Sequence, residues 1–153
     1  MALRPPFIHA GESDIIQTVD VLITRVALLE LKALNALKPR PRFWGLLIGH
    51  KRGFRFIVER IFPAGEAASR PSAEGFEALD RLSEGRIIGV FAVRPGVSLR
   101  RTFLDPFFYG KLFLDVSLGG KGPCVKSYVV EYDRAFFFLP VPLEPGSKGG
   151  THG

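Results

Sequence analysis

The hydrophobic positions of the chain fall into short blocks separated by glycine, proline and charge. The spacing inside each block predicts its element. Residues 15–23 (IIQTVDVLI) are β-branched and read as a strand. Thr24 then caps a helix running to Lys38, with Val26, Leu29, Ala33 and Leu37 at helical spacing and Pro39 and Pro41 to end it. Two strands, 42–49 and 54–62, flank a short glycine-containing connection at 50–53. In the second, Phe54, Phe56 and Val58 alternate with Arg55, Ile57 and Glu59, so one face is more exposed than the other. Ser72 caps a short helix over 73–83, closed by Gly85. Residues 86–93 (RIIGVFAV) are almost continuously apolar, the mark of a strand buried on both faces.

After Pro95 comes a loop with the closely spaced cations Arg94, Arg100 and Arg101, and a short helix is expected to begin near Thr102. Strands at 125–132 and 135–141 follow, joined by a tight Asp133-Arg134 turn. Residues 1–13 lack periodicity and read as a loose leader, residues 14–143 as a single domain, and residues 144–153, ending GSKGGTHG, as a flexible tail. The order β-α-β-β-α-β-α-β-β predicts an α/β fold: a mixed sheet with helices packed around it.

Composition narrows the classes. Hydrophobic residues make up 46% and charged residues 24%, too apolar for a disordered chain. A single cysteine, Cys124, excludes a disulfide framework and a thiolate zinc cluster, and it reads as a small buried hydrophobe. No apolar run approaches the ~20 residues of a membrane helix. The start has no apolar stretch of signal-peptide length, so the expectation is a cytoplasmic protein that does not enter the membrane. A net charge of +6 permits an acidic partner without demanding one, since the cations are scattered rather than gathered in a tract.

Most catalytic signatures are absent. The Gly119-Gly120-Lys121-Gly122 stretch lacks the Ser or Thr and the spaced glycine of a Walker loop. There is no His-Glu-x-x-His, Cys-x-x-Cys or Gly-x-Ser-x-Gly. The histidines, His9, His50 and His152, stand in the leader, a hairpin turn and the tail, positions poorly suited to a rigid site.

One constellation does carry a family signal. Gly45-Leu46-Leu47-Ile48-Gly49 closes a strand, a hairpin leads to Val58 and to Phe62-Pro63, and a helix and strand then end in Gly89-Val90-Phe91-Ala92-Val93-Arg94-Pro95. Thr102 and Asp105 follow, the latter ten residues beyond Pro95. In element order and spacing, from about Ile15 to Tyr132, this resembles the MPN (JAMM) metalloprotease family. In its active members two histidines and an aspartate bind zinc, a serine precedes that aspartate, and a glutamate before the Gly-Leu-Leu run is the general base. The matching positions here hold Ala92, Arg94, Asp105, Thr102 and Arg42. Zinc needs about three protein donors plus an open position, and an arginine cannot accept a proton at any working pH. The resemblance therefore implies an MPN-like mixed sheet with a long N-terminal helix, and a catalytically inactive protein with no metal and no other cofactor. It also implies a scaffold or interaction module whose partner is another protein: a second copy in a homodimer, an MPN-containing protein, or a ubiquitin-like one.

An aspartate stripped of its metal needs a compensating cation when partly buried. The expectation is that Arg94, within about 4 Å, and Arg42 neutralise Asp105. The competing reading is a basic rim of Lys51, Arg52, Arg100 and Arg101 that binds an anion or nucleic acid, although no RNA- or DNA-binding motif accompanies it. A hydrolase rebuilt around Asp105 with Cys124 or Thr102 ranks last. The groups Phe107-Phe108 and Phe136-Phe137-Phe138 are expected to give one face to the core and any surplus to an interface between copies.

Overall fold

The computed structural model describes residues 7–9, 16–37, 43–66 and 72–145. Thr24 marks the first change of state: its hydroxyl accepts from the Ala27 N–H at 3.2 Å and caps α1 (Arg25–Leu37). Before it lie β1 (Phe7–His9), β2 (Ile16–Thr18) and β3 (Asp20–Ile23). After it come β4 (Phe43–Arg52), β5 (Arg55–Glu66), α2 (Ala73–Leu82), β6 (Ile87–Val93) and α3 (Val97–Thr102). The chain finishes with β7 (Leu112–Ser117), β8 (Cys124–Tyr132), β9 (Phe136–Pro140) and β10 (Leu143–Pro145).

Eight of the strands make one mixed sheet in the order β10-β3-β5-β4-β6-β7-β8-β9, while β1 and β2 form a separate antiparallel ribbon. The edge strands β9 and β10 are separated in the chain only by Val141 and Pro142. A flat eight-stranded sheet would hold its edges roughly 34 Å apart at ~4.8 Å per strand. That connection spans about 10 Å at most. The sheet therefore curls until its edges approach. The Val141 N–H donates to the Ser127 carbonyl of β8 at 3.0 Å, and the Val21 N–H of β3 donates to the next carbonyl, Pro142, at 2.9 Å.

Irregularities in β4 assist the curl. Its register against β5 shifts at Trp44/Gly45 and at Ile48/Gly49, and bulges of this kind increase local twist. A Cβ at Gly49 would run into the Ile57 carbonyl oxygen, and one at Gly89 into that of Leu112. Strand β6 lies between β4 and β7 and is buried at every position, as its unbroken apolar run predicts.

Two cores result. One is built from Val21, Ile23, Val58, Leu47, Phe91, Leu114 and Val116 against Ala27, Leu31 and Leu34 of α1. The other joins Trp44, Leu46, Val90, Ala92 and Phe113 to Phe76 of α2, Leu99 of α3, Phe103 and Phe108. Helix α1 thus packs on one face of the sheet, and α2 and α3 on the other.

Several expectations are corrected. The stripe Val26, Leu29, Ala33, Leu37 is the exposed side of α1; Leu37 is 78% exposed, and Ala27, Leu31 and Leu34 are the buried set. The strand expected over 15–23 is divided at Val19, its first part pairing with Phe7–His9 inside the stretch read as a leader. The expected turn at 50–53 shortens to Gly53-Phe54, with Gly53 at φ 61°. The helix expected to begin near Thr102 ends there instead, followed by a 3-10 turn at Pro106–Phe108 and the unforeseen strand β7. The expected tail begins inside β10; residues 146–153 lie outside the described residues. Cys124 is exposed, not buried. Among the described residues no helix is long and apolar enough to cross a membrane.

Candidate functional site

Registry lines up four side chains across the second core face: Trp44 opposite Ala92, Ala92 opposite Asp115, and Asp115 opposite Lys126. Ala92, which the resemblance sets at a ligand position, is fully buried and offers no donor. Arg94 follows the end of β6 in a left-handed conformation, φ 48°, with its N–H on the Val116 carbonyl at 2.9 Å. Its guanidinium turns to the Leu118 carbonyl at 3.1 Å.

The expected Arg94–Asp105 pair is absent; none of the ion pairs among the described residues joins the two. The reason is local. Pro106 follows Asp105 and starts a 3-10 turn, so the carboxylate is spent as its cap, accepting from the Phe107 N–H at 2.9 Å. Thr102 closes α3, its hydroxyl donating to the Leu99 carbonyl at 2.6 Å. Arg42 lies outside the described residues.

A different pair occupies this face. Arg100 of α3 reaches Asp115 of β7, Nη1 to Oδ2 2.5 Å, with the two side chains 33% and 16% exposed. Its guanidinium also lies 5.4 Å from the Phe138 ring centre, 5.5 Å from Tyr128 and 6.0 Å from Phe113. A planar cation on aromatic faces, with a carboxylate at its edge, is well held. Beneath it the aromatic residues close ranks: Phe76 lies 4.8 Å from Phe108 and 5.6 Å from Trp44, and Phe103 lies 5.2 Å from Phe108. The Trp44 Nε1–H is buried without a hydrogen-bond partner.

The remaining cations do not form one rim. Phe43 of β4 pairs with Val93 and Ile48 with Ile87. Lys51 and Arg52 therefore lie at the end of β4 farthest from the start of α3, roughly 25–30 Å away at ~3.3 Å per residue. Lys51 rests over the Phe56 ring at 4.9 Å. At that far end Glu131 is buried with Oε1 unpartnered. Burial raises its pKa above the ordinary glutamate value of 4.5, opposed by the Tyr132 backbone and by Lys51. On the second core's side, Pro106, Tyr109, Tyr132 and Phe136 line an open aromatic cleft of about 250 Å³.

Among the described residues no three His, Cys, Asp or Glu side chains lie close enough to share a metal ion. Sequence reasoning passed over Asp115, Trp44 and the tyrosines of the cleft. Asp115 had a signal: a lone carboxylate two residues after Phe113 inside the apolar run LFLDVS, on the face that Phe113 buries.

Fold and site together define a mixed α/β protein with a curled eight-stranded sheet and an aromatic-packed face. No family model matches the chain, and no curated protein matches it. Among solved structures it is similar to the solution structure of protein DSY2949 from Desulfitobacterium hafniense, with a TM-score of 0.58 and 22% identity over 82% of this chain and 93% of that one. At that identity the likeness is one of fold.

Proposed function

We propose that this chain is an MPN-like protein without zinc chemistry that acts as a scaffold, through association with another protein. The observation that carries the proposal is the state of the three ligand positions. Ala92 is a buried methyl group, Arg94 is a cation turned to a carbonyl, and Asp105 caps a turn. None is available to a metal in the arrangement the family needs. The order β3-α1-β4-β5-α2-β6-α3-β7 and the pairing of the Gly45–Gly49 stretch with β6 support the fold half of the proposal. The aromatic packing around Phe76, Phe103 and Phe108 is consistent with the functional half, because it fills the second core with side chains that carry no catalytic group. The basic-rim reading loses support, since its cations sit at opposite ends of β4 and Arg100 is engaged by Asp115.

The test has two arms. Incubated with zinc and an isopeptide-linked ubiquitin-type substrate, the protein should release nothing. Used as bait in its native host, it should retain a defined partner whether or not a chelator is present. Cleavage that disappears on Asp105→Ala would overturn the proposal.

A further inference from the structure

We infer that two copies of this chain pair antiparallel through the free outer edge of β9, joining their sheets into one. The inference deepens the reading of the protein as an association module, and rests on it, by naming a second copy as the partner and a strand edge as the surface.

The backbone fixes which groups are free. In an antiparallel pair, alternate residues send both their N–H and their C=O to one neighbouring strand and then to the other. The Val130 N–H donates to the Lys111 carbonyl at 3.0 Å, and the Val130 carbonyl accepts from the Gly110 N–H at 2.8 Å, so Val130 faces the β7 side. Val129 and Glu131 therefore face β9, where their register partners are Leu139 and Phe137. The Val141 N–H, donating to the Ser127 carbonyl at 3.0 Å, keeps the same phase. Phe136, Phe138 and Pro140 are left pointing outward, with two N–H groups and three carbonyls between them. Closure of the sheet does not use them. Val141 and Pro142 make the bridging hydrogen bonds, and among the described residues no strand pairs with β9 on that side.

Such an edge takes an extended strand by backbone hydrogen bonding. Natural edges are blunted by charge or by shortness, and β10, three residues with Glu144 and Pro145, is an edge of that kind. β9 is different: five residues, Phe-Phe-Phe-Leu-Pro, without a charge, and with Phe137 38% exposed. An uncharged strand with outward N–H groups is what this edge fits, and each copy carries one. Two copies centred on Phe138 pair all five residues, Phe138 with Phe138 and Phe136 with Pro140. That register satisfies both outward N–H groups of each copy, and the carbonyl left over, that of Phe136, stands where Pro140 has no N–H to give. It also sets the exposed Pro140 of one copy beside Phe136 of the other, the wall of the aromatic cleft nearest the edge. Charge does not oppose the pairing, although the chain is basic, +6. The two Arg134 side chains would stand roughly 26 Å apart at ~3.3 Å per residue, beyond the ~8 Å screening length. Arg134 of one copy and Lys126 of the other would stand two strands, roughly 10 Å, apart, with Asp133 beside the former. The contact is isologous, so it closes at a dimer. It is small, so it forms at high protein concentration.

Sedimentation velocity and amide hydrogen exchange from about 5 to about 500 µM test it. The wild-type mass should rise to that of two chains and stop there. Exchange at Phe136 and Phe138 should slow about tenfold as the dimer forms, while Phe137 and Leu139, already bonded to β8, should not change. Phe137→Lys and Phe137→Glu alter an exposed side chain whose N–H stays within the sheet, so each should remain a single chain with unchanged circular dichroism. Mixed, they should give a one-to-one dimer, since position 137 of one copy lies diagonally across from position 137 of the other. A wild type of single-chain mass throughout, a mixture that stays monomeric, or a dimer in which Phe136 and Phe138 exchange as fast as in the single chain overturns the inference. None of these outcomes touches the association reading, which the isopeptide and bait experiments test separately.

Discussion

Arg100 and Asp115 should be energetically coupled, and a double-mutant cycle with Arg100→Met, Asp115→Asn and both together measures the coupling. Opposite charges with centres ~4 Å apart attract by roughly 4 kcal/mol at an effective dielectric of ~20. With the side chains 33% and 16% exposed, the lost hydration takes back more than half of that. A net coupling of about 1–2 kcal/mol remains. Contact with the Phe113, Tyr128 and Phe138 rings adds ~0.5–1 kcal/mol that belongs to Arg100 alone. Arg100→Met keeps the apolar stem but leaves the Asp115 carboxylate without its cation, so it should cost about 2–3 kcal/mol. For a chain of this size that lowers Tm by roughly 4–12 °C. Asp115→Asn should cost less, about 1–2 kcal/mol, because an exposed edge of the guanidinium still meets water. The double variant should then be more stable than the sum of the two losses by the coupling energy. Urea midpoints at constant m-value are the assay. Single effects that add to within ~0.3 kcal/mol would refute the pairing as an energetic feature of this face.

Three further outcomes follow from the geometry. Glu131 has a folded pKa above 4.5, so its share of stability is complete below the unfolded value and is lost as pH rises through the folded one. Glu131→Gln should therefore gain over wild type between about pH 4 and about pH 8, and an advantage equal at both ends would contradict the burial cause. Gly49→Ala drives a methyl group at the Ile57 carbonyl and should cost about 1–3 kcal/mol by urea denaturation; a neutral effect would show that the bulge relaxes freely. A chain ended after Pro140 loses the Ser127–Val141 and Val21–Pro142 hydrogen bonds and a buried valine. It should lose roughly 3–4 kcal/mol, with faster amide exchange in β3, and unchanged exchange there would contradict closure of the sheet by this segment.

What the sequence showed depended on how many residues had to agree. Strand β6 was legible because seven apolar positions in a row suit little but a central strand. The α2 cap was legible because Ser72 needs only its own neighbours, and its hydroxyl accepts from the Gly75 N–H as expected. The position of α1 was legible and its orientation was not: Leu28, Leu31 and Leu34 compete with Val26, Leu29 and Leu37, so periodicity alone could not choose the buried side. Strand β10 was missed because Leu-Glu-Pro has no strand signal of its own; it is held by parallel pairing to Val21–Ile23, at the other end of the chain. At the site, the spacing from Pro95 to Asp105 suggested a pair between Arg94 and Asp105 that the structure does not form. Pro106 decided the matter by turning Asp105 into a cap, and the charge compensation moved to Arg100 and Asp115, whose meeting depends on how α3 crosses the sheet.

The most direct test of the proposal that this chain is MPN-like without zinc chemistry is the metal content of the full chain after saturation with zinc and dialysis. With Ala92 and Arg94 at the two positions that the resemblance assigns to histidine ligands, and Asp105 committed to the Phe107 N–H, well under ~0.1 zinc per chain should remain. About one zinc per chain that survives dialysis, and is lost on Asp105→Ala, would contradict the account.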